Sequence, residues 1–384
     1  MLSRVLYSRV VTVLLSASLI AAPTVTLAGE PAPKPKAPRS STGTITHRRP
    51  VRVLGVPTFA DSAEGDVATY DDPVVRQAAV AALGRYNGSV VALDPNSGRI
   101  LSVVNQKLAF SSGFIPCSTI KPVIAVAALE ESVITRDTMI KVASRTYLNL
   151  VEALAHSNNA FFEELGRRMG FDTVSRYARL LGLGELTGYD LPEEQPGAFP
   201  SEPPKFGGVA RMSSFGQGIQ ITPFQLASLV STLANGGTIY YLQYPRTPQA
   251  IQNFEPRVKR RLDIESMLPD IRDGMLAAVL YGTARRSYAG EGEQPLGKTG
   301  TCSDSESRVG WFVSYADQQH PKIVLAVLMR GQSANVKGAM AAEIAGRIYK
   351  RLDDVNYFAE KASFSAPANF AAKSSVAPVT RAAY

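Results

Sequence analysis

Ser118 and Lys121 stand three residues apart in the stretch Gly113-Phe114-Ile115-Pro116-Cys117-Ser118-Thr119-Ile120-Lys121-Pro122, which leads from a loop into the apolar run Val123 to Leu129. On a helix that spacing puts a hydroxyl and an amine on one face, one turn apart, where they can share a hydrogen bond. A serine hydroxyl is a poor nucleophile until a base takes its proton, and a lysine serves only if burial or a nearby cation lowers its pKa from about 10.4 toward 7 or 8. The apolar flank can supply that burial. Taken alone the pair is weak, because Ser-x-x-Lys arises by chance about once in a chain of this length and also fits a first-turn serine beside a solvated lysine. A second polar stretch, Ser157-Asn158-Asn159, lies between apolar flanks. An N-cap explains one of its residues and leaves the others without a task. A third, Gly297-Lys298-Thr299-Gly300-Thr301, reads as a strand on which a lysine and two hydroxyls can hold a carboxylate, while Gly300 lets a substrate backbone come close.

Three stretches so far apart can act together only if the fold brings them to one place. Asp72 followed by Pro73 predicts an N-cap and first turn, opening a helix that runs toward Asn87-Gly88. Ser89 to Leu93 and Arg99 to Asn105 are apolar and β-branched, with Asp94-Pro95-Asn96-Ser97-Gly98 between them, and should pair as a hairpin. Helical patterns follow from near Ser118, over Asn158 to Met169, Thr173 to Leu183, Thr222-Pro223 through Ala234, and Asp270 to Tyr281. Strand-like runs then cover Gly297 to Cys302, Arg308 to Tyr315 and Lys322 to Met329, before a last amphipathic helix over about Val336 to Leu352. Strands at both ends with helices between them imply an α/β or α+β domain whose sheet is closed by distant parts of the chain, with the late strands antiparallel.

Ser-x-x-Lys, Ser-x-Asn and Lys-Thr-Gly, in this order on helix, loop and strand, are the motif set of penicillin-binding transpeptidases and serine β-lactamases. The chain resembles a penicillin-binding transpeptidase from Asp72 to Leu352, with further similarity in Val90-Val91-Ala92-Leu93-Asp94-Pro95, Gly216-Gln217-Gly218 before Thr222-Pro223, and Gly282-Thr283-Ala284. The resemblance implies a five-stranded antiparallel sheet flanked by helices, with an all-helical part and a site between the two. It implies that Lys121 deprotonates Ser118, that Ser118 attacks a D-Ala-D-Ala stem peptide of peptidoglycan, and that Ser157 relays a proton to the departing D-Ala. The backbone N–H groups of Ser118 and Thr301 would form the oxyanion hole. Asn159 would bind the acyl chain, and Lys298, Thr299, Gly300 and Thr301 would hold the terminal carboxylate. An amine acceptor gives a cross-link, water gives D,D-carboxypeptidase activity, and a β-lactam inhibitor should trap Ser118. The family commonly has glycine where this chain has Cys117, and Cys302 directly follows the Lys-Thr-Gly-Thr run. If strand and helix meet as the resemblance implies, these two cysteines come close enough for a disulfide; two buried thiols are the alternative. The 39 residues from Ser118 to Ser157 are few for the family, so the helical part above the cleft is expected to be trimmed.

Two other readings compete. A β-lactamase needs a group to activate a deacylating water, and no Glu-x-x-Leu-Asn motif is present. A β-lactam-binding sensor or wall scaffold would keep the pocket without turnover, and the intact motif set argues against it. No metal or organic cofactor is indicated, because His47, His156 and His320 do not cluster with ligand residues, and His156 reads as a neighbour of the second motif.

With 384 residues, 45% of them apolar, the chain can bury a large core. Its net charge of +8 includes Lys34, Lys36, Arg39, Arg48, Arg49 and Arg52 in a segment that reads as unpacked. That argues against a nucleic-acid partner and leaves a solvated linker, or attraction to an anionic membrane or cell-wall surface. Residues 1–28 read as a signal peptide: Arg4 and Arg9 precede a 13-residue apolar run, and Thr26 and Ala28 sit at cleavage spacing. An uncleaved N-terminal anchor is the alternative, although a spanning helix needs about 20 apolar residues. Residues 29–50 are Pro-rich and tether-like, 51–359 form the transpeptidase-like domain, and 360–384 are Ala/Ser-rich and expected to be disordered. Export to the periplasm, or to the outer face of the inner membrane, follows from this reading. A glycosyltransferase partner would be a separate protein.

Overall fold

The computed structural model describes residues 55–316 and 320–359. The expectations for the signal peptide, the tether and the C-terminal tail lie outside the described residues. Helix α1 (Pro73–Leu83) opens as its sequence requires, with the Asp72 carboxylate accepting from the N–H groups of Val74 and Val75. It ends earlier than its apolar pattern suggests, because Gly84 takes a positive φ of 58° and closes the last turn. The predicted hairpin follows as β1 (Gly88–Leu93) and β2 (Ile100–Val104).

The remaining strands of the main sheet come from the far end of the chain: β3 (Pro295–Ser303), β4 (Arg308–Ala316) and β5 (Ile323–Gly331). They join the hairpin in the order β2-β1-β5-β4-β3, antiparallel throughout. This is the five-stranded α/β arrangement expected, and it leaves β3, which carries Lys298, at one edge. The residues of β1 and β5 are almost all buried, so the sheet needs a cover on each face. On one face Val90, Ala92, Phe312, Leu325 and Val327 meet α1 and the C-terminal helix. That helix, Gly338–Asp354, buries Ala341, Ala342, Ile344, Ala345, Ile348, Tyr349 and Leu352, a stripe at helical spacing. On the other face Val91, Leu93, Trp311, Val313, Ala326 and Leu328 join a larger core shared with the helices of the middle of the chain.

Those central helices position the site. Helix α2 (Lys121–Glu130) is buried from Lys121 to Ala128, as an apolar helix inside a core should be. Between it and the second motif lie a short hairpin, Ile140–Ala143 with Thr146–Leu148, and helix α3 (Leu150–Ala155). Helical structure then runs over Asn159–Leu180 and breaks at Gly170 (φ 76°, ψ 170°), within the gap the sequence left between Met169 and Thr173. The helix Pro223–Ala234 matches its predicted bounds, with Thr222 and Gln225 exchanging the two hydrogen bonds of a capping box. The helix expected over Asp270 to Tyr281 spans Leu268–Leu280.

Candidate active site

Ser118 lies in a single 3-10 turn, Cys117–Ile120, that feeds directly into α2. The turn is held from several directions. Phe114 and Ile221 exchange backbone hydrogen bonds at 2.9 and 2.8 Å, the buried Trp311 indole donates to the Ile115 carbonyl at 3.0 Å, and Thr119 Oγ1 donates to the Pro116 carbonyl at 2.6 Å. Cys117 is bonded to Cys302 with a Cα–Cα separation of 5.7 Å, so the turn that holds Ser118 and the edge strand are joined covalently; of the two readings of these cysteines, the disulfide holds. Cys117 itself has φ 53°, a left-handed conformation that costs an L-residue roughly 1–2 kcal/mol and that glycine adopts freely.

The second motif completes the cleft. Asn158 is the N-cap, its side chain accepting from Phe161 N–H at 3.0 Å, which frees Ser157 and Asn159 for other work. Lys121 Nζ lies 2.5 Å from the Ser157 carbonyl, 3.1 Å from Ser157 Oγ and 2.7 Å from Asn159 Oδ1. Ser157 is turned to meet it by a positive φ of 55°. From the opposite side Lys298 Nζ donates to Ser157 Oγ at 2.8 Å and to the Thr299 carbonyl at 3.0 Å. One hydroxyl therefore bridges two lysine amines.

Both amines are fully buried. Burial, with the repulsion of Lys298 added and the attraction of Glu163 opposing, lowers Lys121 to about 6. Burial alone lowers Lys298 to about 7. Near neutral pH the Lys121 amine is therefore mainly uncharged. It then has two N–H groups, matching the Ser157 carbonyl and Asn159 Oδ1, and a lone pair that the Ser157 hydroxyl can reach.

Ser118, Ser157, Asn159, Thr299 and Thr301 line one cleft of about 370 Å³, together with Phe215, Thr283, Lys337 and Ala339. Lys121 and Lys298 meet at Ser157, and Gly300 and Cys302 pack against the turn, so all ten residues singled out from the sequence converge. The sharing of a hydrogen bond by Ser118 and Lys121 is the exception. Among the described residues no such bond joins them, because the Lys121 amine is turned to Ser157 and Asn159 instead. Thr283, of the Gly282-Thr283-Ala284 stretch, joins the cleft without having been marked by spacing; its Oγ1 is 2.6 Å from Thr299 Oγ1. Neither Phe215 nor Lys337 sits in a motif that could have announced it. His156 is an exposed neighbour of Glu152 and Tyr281 outside the cleft lining.

Gly300 shows how tightly strand and turn meet. A Cβ there would stand 2.9 Å from the Pro116 carbonyl, 3.1 Å from Thr119 Cγ2 and 3.2 Å from Cys117 Cβ. Gly300→Ala is expected to push the strand off the turn and slow acylation of Ser118 by about a hundredfold, since displacements near 1 Å cost that much. A β-lactam acylation rate within twofold of wild type would contradict this.

Comparison with known proteins agrees with the geometry. Residues 88–350 match the family described as the penicillin binding protein transpeptidase domain. Stage V sporulation protein D of Bacillus subtilis is 29% identical over 315 residues, covering 68% of this chain and 48% of that protein. The peptidoglycan D,D-transpeptidase PbpA of Mycolicibacterium smegmatis is 28% identical over 366 residues, covering 75% and 72%. This chain spans about half the length of several curated relatives it matches. Among solved structures, the transpeptidase domain of penicillin-binding protein 3 from Burkholderia pseudomallei superposes with a TM-score of 0.64 at 20% identity, covering 74% of this chain and 94% of that one, which speaks to the fold. The match covers well over half of the chain and contains every residue of the cleft, and on that ground the chain belongs to the penicillin-binding protein transpeptidase domain family.

Proposed function

We propose that the protein is a peptidoglycan D,D-transpeptidase that cross-links stem peptides through an acyl-enzyme on Ser118. The observation that carries the proposal is the meeting of Lys121, Lys298 and Ser157 at hydrogen-bond distance beside a cleft that also exposes Ser118. Uncharged Lys121 takes the Ser118 proton as the oxygen attacks the carbonyl of the penultimate D-Ala. The contact missing here closes with substrate bound, as is common for catalytic hydrogen bonds. The tetrahedral oxyanion is held by the N–H groups of Ser118 and Thr301. Ser157 passes a proton from the lysine pair to the departing D-Ala nitrogen, and the C–N bond breaks. An amine from a neighbouring stem then attacks the ester and restores Ser118. Asn159 Oδ1 already serves Lys121, so Asn159 engages the acyl chain through its Nδ2 donors. Thr299, Gly300 and Thr301, with Lys298, receive the terminal carboxylate.

Work on a cell-wall substrate calls for export, residues 1–28 acting as the signal and 29–50 as the tether of a domain over 51–359. A disulfide in the nucleophile turn suits an oxidising compartment such as the periplasm. Among the described residues no helix is long and apolar enough to cross a membrane. A glycosyltransferase that supplies the strands is the proposed partner.

Intact-mass measurement after penicillin treatment tests the reading. A stable adduct of one penicillin, mapped to the peptide holding Ser118, is the expected result. An unmodified protein, or an adduct elsewhere, would end the acyl-enzyme proposal, and turnover of penicillin within seconds would favour the β-lactamase.

A further inference from the structure

Lys337 stands at the boundary of two hollows. It lines the cleft that holds Ser118, and it also lines a neighbouring hollow of about 340 Å³ with Arg286, Arg347 and Glu343. Its position is fixed by the backbone. Gly338 N–H, the next residue, donates to Thr301 Oγ1 at 2.8 Å, and a Cβ on Gly338 would lie 2.8 Å from the Gly300 carbonyl. On the other side, a Cβ on Gly310 would meet the Lys337 carbonyl carbon at 2.6 Å. Main chain at 337–338 is thus pressed between two strands of the sheet, and the lysine side chain starts from an anchored point at the lip of the cleft.

The charges around it are unequal. Glu343 is already paired with both Arg286 and Arg347. Among the described residues no carboxylate pairs with Lys337, which is half-buried. Glu291 and Glu293 line a further hollow with the same two arginines, so the positive charge at the lip of the cleft is that of Lys337 itself, a charge that attracts anions.

We propose that Lys337 is a specificity-determining residue of this site: its ammonium recognises the free carboxylate at the leaving end of the acyl donor, so that an acid is preferred to the same donor with that group masked. The inference rests on the transpeptidase reading of the cleft. Lys298 is the other cation available, but it is committed to Ser157 Oγ and the Thr299 carbonyl, and burial holds its charge only weakly near neutral pH. Thr301 is prepared for the same carboxylate. Its Oγ1 accepts from Gly338 N–H, which leaves the hydroxyl proton free to donate outward. Lys337 and Thr301 line the same cleft, so together they can offer a carboxylate both a charge and a directed hydrogen bond.

The test compares acylation by benzylpenicillin and by its methyl ester, in wild type, Lys337→Met and Lys337→Arg, with thermal unfolding as the folding control. The readout is the ratio of acid to ester acylation rates. Lys337→Met is expected to lower that ratio about tenfold or more, the range for hydrogen bonds to charged groups. Lys337→Arg is expected to keep it within about threefold, because the charge survives. An unchanged ratio in Lys337→Met, including the case in which both rates fall equally, overturns the proposal. If wild type is not acylated by either compound, the acyl-enzyme reading is what fails. Binding of N-acetyl-D-alanine against its amide, followed by NMR in Ser118→Ala with and without Lys337→Met, then decides the anion preference by itself: it stands if the preference is lost with Lys337 and falls if the preference persists or never existed.

Discussion

Lys121→Met is expected to slow acylation of Ser118 by benzylpenicillin by about 10²–10⁴-fold, the range that a positioned general base contributes. The reason lies in the price of burying two amines in one site. Lys121 is fully buried, is repelled by Lys298 and keeps only the distant attraction of Glu163, so it falls to about 6 and is available as a base at neutral pH. Wild-type acylation should rise with pH through about 6 as that amine loses its proton. Above about 7 it should decline as Lys298 loses the charge that is proposed to assist at Ser157 and at the carboxylate end of the cleft. Methionine keeps the volume and removes both the lone pair and the lower limb of this profile. Arginine cannot rescue it, because a guanidinium stays protonated. The measurement is the second-order rate constant of acylation between pH 5 and 9, with urea unfolding as a control. A Lys121→Met variant that keeps more than about a tenth of the wild-type rate would remove Lys121 from the base role.

The same two lysines tie stability to pH. Both have folded-state pKa values below the value of about 10.4 they take in the unfolded chain. Between those limits the unfolded state binds more protons, so stability rises with pH across that window. Two lysines buried with lowered pKa values thereby weaken, near neutral pH, the fold that holds them.

Much of this arrangement was readable from residue types. Local chemistry fixes the starts of Pro73–Leu83 and Pro223–Ala234, because Asp72-Pro73 and Thr222-Pro223 satisfy backbone donors with their own neighbours. The hairpin and the three late strands were equally plain, since apolar, β-branched runs and turn residues act over a few positions. The pairing of β1 with β5 depends on segments more than two hundred residues apart, and here the motif resemblance supplied what periodicity cannot. The site shows the same division. Ser118, Ser157 and Lys298 are marked by spacing, whereas Lys337 reaches the cleft only because Gly310, Gly300 and Thr301 seat its backbone there. Nor could spacing say which way Lys121 points. The i, i+3 relation permits contact with Ser118, but it is the left-handed turn at Ser157 that presents a carbonyl and a hydroxyl to the amine.

Loss of the Cys117–Cys302 bridge should have the largest effect on stability. The bridge closes a loop of 185 residues, worth about 5 kcal/mol on a chain-entropy basis, and native disulfides removed from folded domains typically cost 2–5 kcal/mol. Cys117→Ser with Cys302→Ser is therefore expected to lower unfolding free energy in urea by about 2–5 kcal/mol. An unchanged midpoint and slope would show that packing alone holds strand to turn. Chemistry should suffer as well, because Cys117 precedes Ser118 and Cys302 follows Thr301, and the N–H groups of Ser118 and Thr301 are proposed to hold the oxyanion. A second double variant separates the bridge from the backbone it spans. Serine at 117 keeps the unfavourable φ of 53° without the covalent bond that enforces it, so the turn can relax out of its working shape. Glycine carries no such penalty, and its greater freedom in the unfolded chain offsets only about 0.5–1 kcal/mol of that relief. Cys117→Gly with Cys302→Ser should consequently acylate faster than the serine pair while remaining less stable than wild type. Equal acylation by the two double variants would mean that the left-handed turn is held by Trp311, Ile221 and Thr119, and that the disulfide serves stability without serving the oxyanion hole.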